Sequence, residues 1–155
     1  MAQKVLAVAA IRNGTVIDHI PAGQALKIVH LFHWECHQKL VTLGLNLPSR
    51  ILSFKDIIKI EDLVLSANEA NQVAILAPKA TVNIIQDFEV ISKFQVSIPA
   101  SIASIISCPN PKCISNHEEM ISSFKVKSHQ NHVSLECKYC RRIFLYDSLD
   151  KKRIL

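Results

Sequence analysis

The sequence predicts an α+β chain in two parts: an antiparallel sheet with two helices, followed by a small all-β domain organised round a cysteine cluster. Three observations predict this. Residues 1–97 run through strand-like and helix-like hydrophobic patterns in the order β-α-β-β-α-β. Residues 98–155 hold four of the five cysteines, in two close pairs. The composition, 49% apolar and 20% charged, is that of a folded globular chain, and 155 residues suffice for one domain or two small ones.

Each element has its own justification. The start, "MAQKVLAVAAIRNGT", has an apolar core too short for a signal peptide and interrupted by Arg12, so it reads as a strand over 4–11. Asn13-Gly14 is a turn signal, and "TVID" continues as a strand, making a hairpin. After Pro21, Ala25, Ile28, Val29 and Phe32 recur at the spacing of one helix face. "LVTLGLNLPS" alternates, with Val41, Leu43, Leu45 and Leu47 on one side and Pro48 as its end. "DIIKIEDLVL" is the next strand, with Lys55 in the loop before it. "SANE", Ser66 to Glu69, has the form of a capping box for a helix with Ala70, Val73, Ala74 and Ala77 on its inner face. "ATVNIIQDFEVISKF" supplies one or two closing strands. The order is that of a ferredoxin-like plan, helices packed on one face of the sheet.

Pro99 marks the boundary, which divides the chain into domains 1–97 and 98–155. Ile98, Ile102, Ile105 and Ile106 recur at roughly helical spacing and read as an apolar connector that packs the domains together. Beyond it, Cys108, Cys113, Cys137 and Cys140 form C-x4-C-x23-C-x2-C. Two tight turns brought together by the intervening hairpin would offer four thiolates to one ion. Zinc suits such a set, and four thiolates leave no open position for catalysis. Two disulfides are the other reading, disfavoured because nothing marks the chain for secretion. "HVSLEC" and "RIFLY" would be strands round the metal. Cys36, between His33 and His37, reads as part of a loop after the first helix, since no further ligand group stands near it.

The formal charge is +5. Nine Lys/Arg against eight Asp/Glu leave residues 1–97 near neutral, and nine against five leave residues 98–155 basic. Four thiolates and a divalent cation would offset about two of those charges. "KKR", Lys151 to Arg153, reads as a solvated end. A nucleic-acid-binding zinc-ribbon protein is the rival reading, weakened by this arithmetic and by only 6% aromatic residues for stacking on bases. No run of the length needed to span a bilayer is present. The chain reads as soluble and cytoplasmic.

Catalysis finds little support. No GxSxG, Walker loop, HExxH or GxGxxG occurs, and three glycines do not make a phosphate cradle. In "GTVIDHIPAG", Asp18 and His19 would point to opposite faces of a strand, so a direct dyad is not expected. Lys59 and Lys93 sit in otherwise apolar strands, with Lys55 nearby. Cations, one carboxylate and no nucleophile suggest a nucleotide site, with lysines and His19 on phosphates and Asp18 on ribose hydroxyls. Solvated strand lysines account for the same pattern.

The segments "AIRNGTVIDHIPAGQALKI", "LGLNLPS", "KDIIKIE", "APKATVNIIQDFEV", "CPNPKCISNHE" and "LECKYC" resemble the regulatory chain of aspartate carbamoyltransferase, from about residue 4 to residue 146. The resemblance implies a non-catalytic subunit serving the committed step of pyrimidine biosynthesis. Its N-terminal domain would bind CTP and UTP as inhibitors and ATP as activator. Its zinc domain would hold the catalytic chain, and regulatory homodimers would bridge two catalytic trimers, with no nucleic acid or membrane as partner. Carried over, the base would lie against backbone at Ala10, Ile11 and Phe88, with Val8, Val16, Ile85 and Val90 lining the pocket. Asp18 and Lys59 would meet the ribose, His19, Asn83 and Lys93 the phosphates, and Lys55 a neighbouring effector position. Cys108, Cys113, Cys137 and Cys140 would hold one structural zinc. Two departures stand out: Ala9 where the family carries an acid, which bears on effector preference, and Phe88 where it carries tyrosine.

Overall fold

A computed structural model of the chain describes residues 8–130 and 132–146. Two compact units divide it, Met1–Ser97 and Ile98–Leu155. The first contains β1 (Gly14–Pro21), α1 (Ala25–Leu31), β2 (Val41–Ser49), β3 (Ser53–Glu61), α2 (Ala67–Val73), β4 (Thr81–Gln86) and β5 (Glu89–Gln95). The sheet order is β2-β3-β1-β4-β5, with every neighbouring pair antiparallel. The first four strands and two helices are the expected ferredoxin-like set, and β5 adds an edge strand. It returns from β4 through Asp87 and Phe88, both at positive φ (49° and 67°), the backbone that two-residue hairpin turns demand.

Directly opposed residues of a sheet share a face, so the register defines two sides. On one, Thr15, Ile17, Ile58, Ile60, Val82 and Ile84 are all buried. Ala25, Ile28 and Val29 of α1 are buried too, as are Ala70 and Val73 of α2 with Ala74 and Ala77 just beyond it. Each fully buried isoleucine contributes about 1.5–3 kcal/mol; this closed side sets the stability of the unit. The other side carries Val16, Asp18, Lys59, Asn83, Ile85 and Lys93.

Several sequence expectations are corrected. Residues 8–13 form no strand, and residues 1–7 lie outside the described chain, so β1 has no hairpin partner before it among the described residues. Gly14 begins β1 at φ +140°, where a Cβ would stand 2.0 Å from the Ile60 carbonyl oxygen. Phe32 is the C-cap of α1, half-buried, and its ring stacks on that of Trp34 (4.7 Å). The alternation in β2 breaks at a one-residue bulge between Gly44 and Leu47. Leu45 is consequently exposed, and Pro48 pairs with Phe54 inside the hairpin instead of ending the strand. Lys55 lies within β3, not before it.

The second unit holds β6 (Ser101–Ala103), β7 (Ser123–His129), β8 (His132–Cys137) and β9 (Ile143–Leu145), an antiparallel sheet in that order. The isoleucine connector contains a strand, not a helix. Ile102 is buried opposite Phe124, which in turn opposes Cys137. One inner face thus runs from the connector to the cysteine cluster. "KKR" lies outside the described residues. Among the described residues no helix is long and apolar enough to cross a membrane.

The capping box of α2 is complete: Glu69 N–H donates to the Ser66 hydroxyl (3.3 Å), and Ser66 N–H donates to the Glu69 carboxylate (2.8 Å). Ser66→Ala should cost about 1 kcal/mol, lowering the thermal midpoint of the first unit by about 4–8 °C in a circular-dichroism melt.

Candidate functional site

On the open side of the first sheet, the register lines up Thr42, Lys59, Val16, Asn83 and Lys93 in one row across all five strands. Toward the start of β1 lies a second row, Glu61, Gly14, Ile85 and Val90, apolar apart from Glu61 on β3. Toward its end lies a polar row, Asp18, Thr81 and Gln95. Along β1, β4 and β5 the face therefore grades from apolar at Gly14 to polar at Asp18 over roughly 13 Å, at about 3.3 Å per residue.

The polar end depends on a bulge. β1 skips one register position between Ile17 and Ile20, and His19 takes φ 58°. The expectation that Asp18 and His19 point apart is thereby corrected. His19 N–H donates to Asp18 Oδ1 at 2.6 Å, the His19 ring approaches Oδ2 at 4.0 Å, and His19 Nδ1 lies 2.8 Å from the Thr81 hydroxyl. Lys55 Nζ donates to the same carboxylate at 2.9 and 3.1 Å. Burial pulls Asp18 toward its neutral form, but the Lys55 ammonium and the His19 N–H outweigh it and hold its carboxyl below the ordinary value.

Lys59 is buried, and its Nζ donates to the carbonyls of Val8 (3.2 Å) and Ala9 (2.7 Å). Desolvation lowers its pKa, only partly countered by the Asp18 charge. The same segment reaches the β4–β5 turn. Phe88 N–H donates to the Arg12 carbonyl (2.9 Å), Asp87 N–H to the Asn13 side chain (3.0 Å), and Arg12 pairs with Asp87 (3.3 Å). Ala10 is exposed, the Ile11 side chain is buried, and the Phe88 ring projects outward. Thr81, whose place opposite Asp18 emerges only from the register, and Arg12 and Asn13, which tie the segment to the turn, carry no local signal of these roles in the sequence. Asn83 and Lys93 oppose each other on β4 and β5, Lys93 exposed and Asn83 half-buried. His33, Cys36 and His37 form no ligand set. His33 is a left-handed residue ahead of a single 3-10 turn, Trp34–Cys36, in the loop expected there.

In the second unit the four thiols of Cys108, Cys113, Cys137 and Cys140 lie within 4.8 Å of one another. The Cys108–Cys140 and Cys113–Cys137 sulfurs are 3.7 and 3.8 Å apart. A disulfide would need about 2.05 Å, whereas a tetrahedral ion bonded to sulfur at about 2.3 Å requires edges of roughly 3.8 Å. The residues fit a metal. Backbone N–H groups of Asn110, Ser115, Cys140 with Tyr139, and Arg142 point at the sulfurs of Cys108, Cys113, Cys137 and Cys140 respectively. Burial pushes the Cys108 thiol up. At Cys113 burial acts the same way, but the Ser115 hydroxyl and amide, with the neighbouring thiols, bring its pKa down to about 6. Outside the sulfurs, the Asn116 amide ties the first turn by donating to the carbonyls of Cys108 and Asn110 (3.0 and 2.8 Å).

Comparison with known proteins decides the affiliation. Residues 6–97 match the family described as the aspartate carbamoyltransferase regulatory chain, allosteric domain, and residues 100–150 its metal binding domain. The chain belongs to the aspartate carbamoyltransferase regulatory chain family. Regulatory chains so named include those of Tolumonas auensis (51% identical over 92% of both chains) and Aeromonas salmonicida (48%, over 95% of this chain and 96% of the relative). Another is that of Proteus mirabilis (48%, over 90% and 91%). This chain is accordingly a non-catalytic regulatory polypeptide with an allosteric domain and a four-cysteine site suited to a structural metal ion.

The Asp18 pair carries a signed pH dependence. Its folded pKa is depressed, so its stabilisation is complete above the unfolded value of about 3.9 and is lost as pH falls through the lower folded value. In urea titrations the stability gap between wild type and Asp18→Asn should be widest near neutral pH and close as pH falls below the ordinary carboxylate value. A gap of constant size would show that Asp18 does not act as an ion-pair partner.

Proposed function

We propose that this chain is the effector-binding subunit of an aspartate carbamoyltransferase holoenzyme in the cytoplasm, controlling the committed step of pyrimidine biosynthesis. The supporting observation is the graded open face of the first sheet: an apolar end, a central row of Lys59, Asn83 and Lys93, and a polar end of Asp18, His19 and Lys55. A nucleotide likewise joins an apolar base to a hydroxylated sugar and charged phosphates. CTP, UTP and ATP share the site. The base lies by the backbone of Ala10, Ile11 and Phe88, among Val8, Val16, Ile85 and Val90. Asp18 and Lys59 take the ribose, and His19, Asn83 and Lys93 take the phosphates. Lys55 serves a neighbouring effector position. Lys59, already desolvated, gains most from an anion brought close to it.

The metal is zinc, held by Cys108, Cys113, Cys137 and Cys140 and closed to solvent chemistry. Its role is to fold the second unit, whose core is small. That unit docks the catalytic chain, and homodimers of the regulatory chain bridge two catalytic trimers. Regulation follows from linkage. CTP and UTP inhibit, and ATP activates, to the extent that each binds unequally to the less and more active assemblies. Couplings of about 1–3 kcal/mol suffice. A nucleic-acid role for the second unit is disfavoured by Glu136, which stands among its strand cations and engages Lys127 (3.0 Å) and Arg141 (3.7 Å).

Calorimetric titration of the zinc-loaded chain with CTP and ATP, with an oligonucleotide as control, should give competitive binding at one site. Lys93→Ala removes a charge-assisted phosphate contact worth about 1.5–3 kcal/mol. It should raise the CTP dissociation constant by roughly 10- to 100-fold at unchanged zinc content. Unaltered affinity would refute the placement of the phosphates. In a holoenzyme, chelating the zinc should release the regulatory chain before it disturbs nucleotide affinity. An intact assembly after complete zinc extraction, followed by sedimentation, would contradict that order.

A further inference from the structure

Asp56 is fully buried on the closed side of β3 and takes no part in the site described above. Its carboxylate accepts three backbone N–H groups: Gly23 (2.9 Å) and Ala25 (3.2 Å) on one oxygen, Asn46 (3.0 Å) on the other. Each donor lacks an ordinary partner for its own reason. Ala25 opens α1, whose N-cap residue Gln24 offers no side-chain acceptor. Asn46, at φ 57°, is a bulge residue of β2, and a bulge leaves its extra residue out of the ladder. Gly23 lies in the turn leaving β1.

The register gives these bonds their meaning. The bulge in β2 falls between Gly44 and Leu47, opposite Asp56 itself, and the bulge in β1 ends at Ile20, the residue paired with Asp56. The next pairs join Lys55 to both Pro21 and Leu47. One carboxylate therefore stands between two of the three irregularities of the sheet (the third lies between β4 and β5), with its chain neighbour Lys55 turned to the opposite face against Asp18.

We infer that Asp56 is a positioning residue for the polar end of the effector site: from the closed side of the sheet it holds the β2 bulge at Asn46 and the turn that follows the β1 bulge, and so fixes Lys55, Asp18 and His19 on the open side. This rests on the nucleotide reading for its consequence but not for its geometry. Asp56→Asn keeps the size of the side chain and replaces one acceptor oxygen by an NH₂ that faces an N–H donor. At least one of the three bonds is lost, and the register at Lys55 loosens.

Lysine acylation of the full-length, zinc-loaded wild-type and Asp56→Asn chains, read residue by residue by mass spectrometry, tests this. Lys55 should react about threefold faster or more in the variant, as a locally opened group does, while Lys93 is unchanged. The CTP dissociation constant should rise about tenfold. Equal Lys55 reactivity overturns the inference whatever CTP does. A wild-type chain that binds no CTP removes the nucleotide reading alone, because the acylation result still judges the clamp. If Asp56→Asn does not fold, hydrogen exchange in the native chain decides: the Gly23, Ala25 and Asn46 amides should open together, and a freely exchanging Asn46 amide beside protected Gly23 and Ala25 amides overturns the clamp.

Discussion

The candidate site exists because β1 carries one residue too many. Ile17 and Ile20 are both fully buried, yet residues three apart on a regular strand face opposite sides. The extra position at His19 reconciles them. It costs a left-handed backbone at a non-glycine residue, a conformation that histidine and asparagine tolerate better than most. Two buried isoleucines, each worth about 1.5–3 kcal/mol, outweigh that strain. The consequence is local and chemical. Asp18 and His19, which a regular strand would separate, stand together, and Lys55 and Thr81 close round them.

The second unit solves a different problem. Its four short strands bury Ile102, Phe124, Leu135 and Cys137 on one face and leave Lys125, Lys127, Ile143 and Leu145 exposed on the other. So small a core is weak by itself. Four inward sulfurs at tetrahedral spacing, each met by a backbone N–H, suit a structural metal ion, and sites of that kind couple metal binding to folding. Polar backbone at both cysteine turns is satisfied by the ligands themselves, so the turns stay tight without a larger core. The first unit has its stability in apolar burial and its chemistry on an uncovered face. The second has its stability in the chemistry.

Much of this was legible in the sequence. The capping box at Ser66 and the isolated cysteine pairs are local patterns with local causes, and they appear as read; the helix faces do so in part, Phe32 falling at the cap of α1 and Ala74 and Ala77 beyond the end of α2. The failures share a cause as well. Strict alternation in "LVTLGLNLPS" and the opposite-facing rule for Asp18 and His19 both assume an unbroken ladder, and a bulge shifts every later side chain to the other face. A warning was present: "VIDHI" spaces its isoleucines by three, which a buried strand accommodates only with an extra residue. No such hint existed for the start of the chain or for the connector. Val8 and Ala9 look strand-like, but their carbonyls serve Lys59, and the isoleucines of "SIPASIASIIS" fit helical spacing while one of them sits in a strand. Short apolar runs do not by themselves declare their period.

Lys59 shows why the open face is not simply an undeveloped part of the fold. An ammonium this buried, with two carbonyl oxygens as its hydrogen-bond partners among the described residues, is under-compensated for the water it has lost, and its lowered pKa is the sign of that deficit. The deficit destabilises the ligand-free unit at neutral pH and diminishes as the lysine deprotonates at high pH. It also diminishes when negative charge approaches. On the nucleotide reading, an effector therefore repairs a defect as it binds, and the folded unit gains stability as RT ln(1 + [L]/Kd). The two carbonyls that hold Lys59 belong to Val8 and Ala9, so on the nucleotide reading a ribose that takes a hydrogen bond from the lysine competes with this segment for it. The segment is tied at its other end, through Arg12 and Asn13, to the β4–β5 turn. Occupation of one row of the sheet thus reaches a segment that lies outside it, which is the kind of differential contact that allosteric coupling requires.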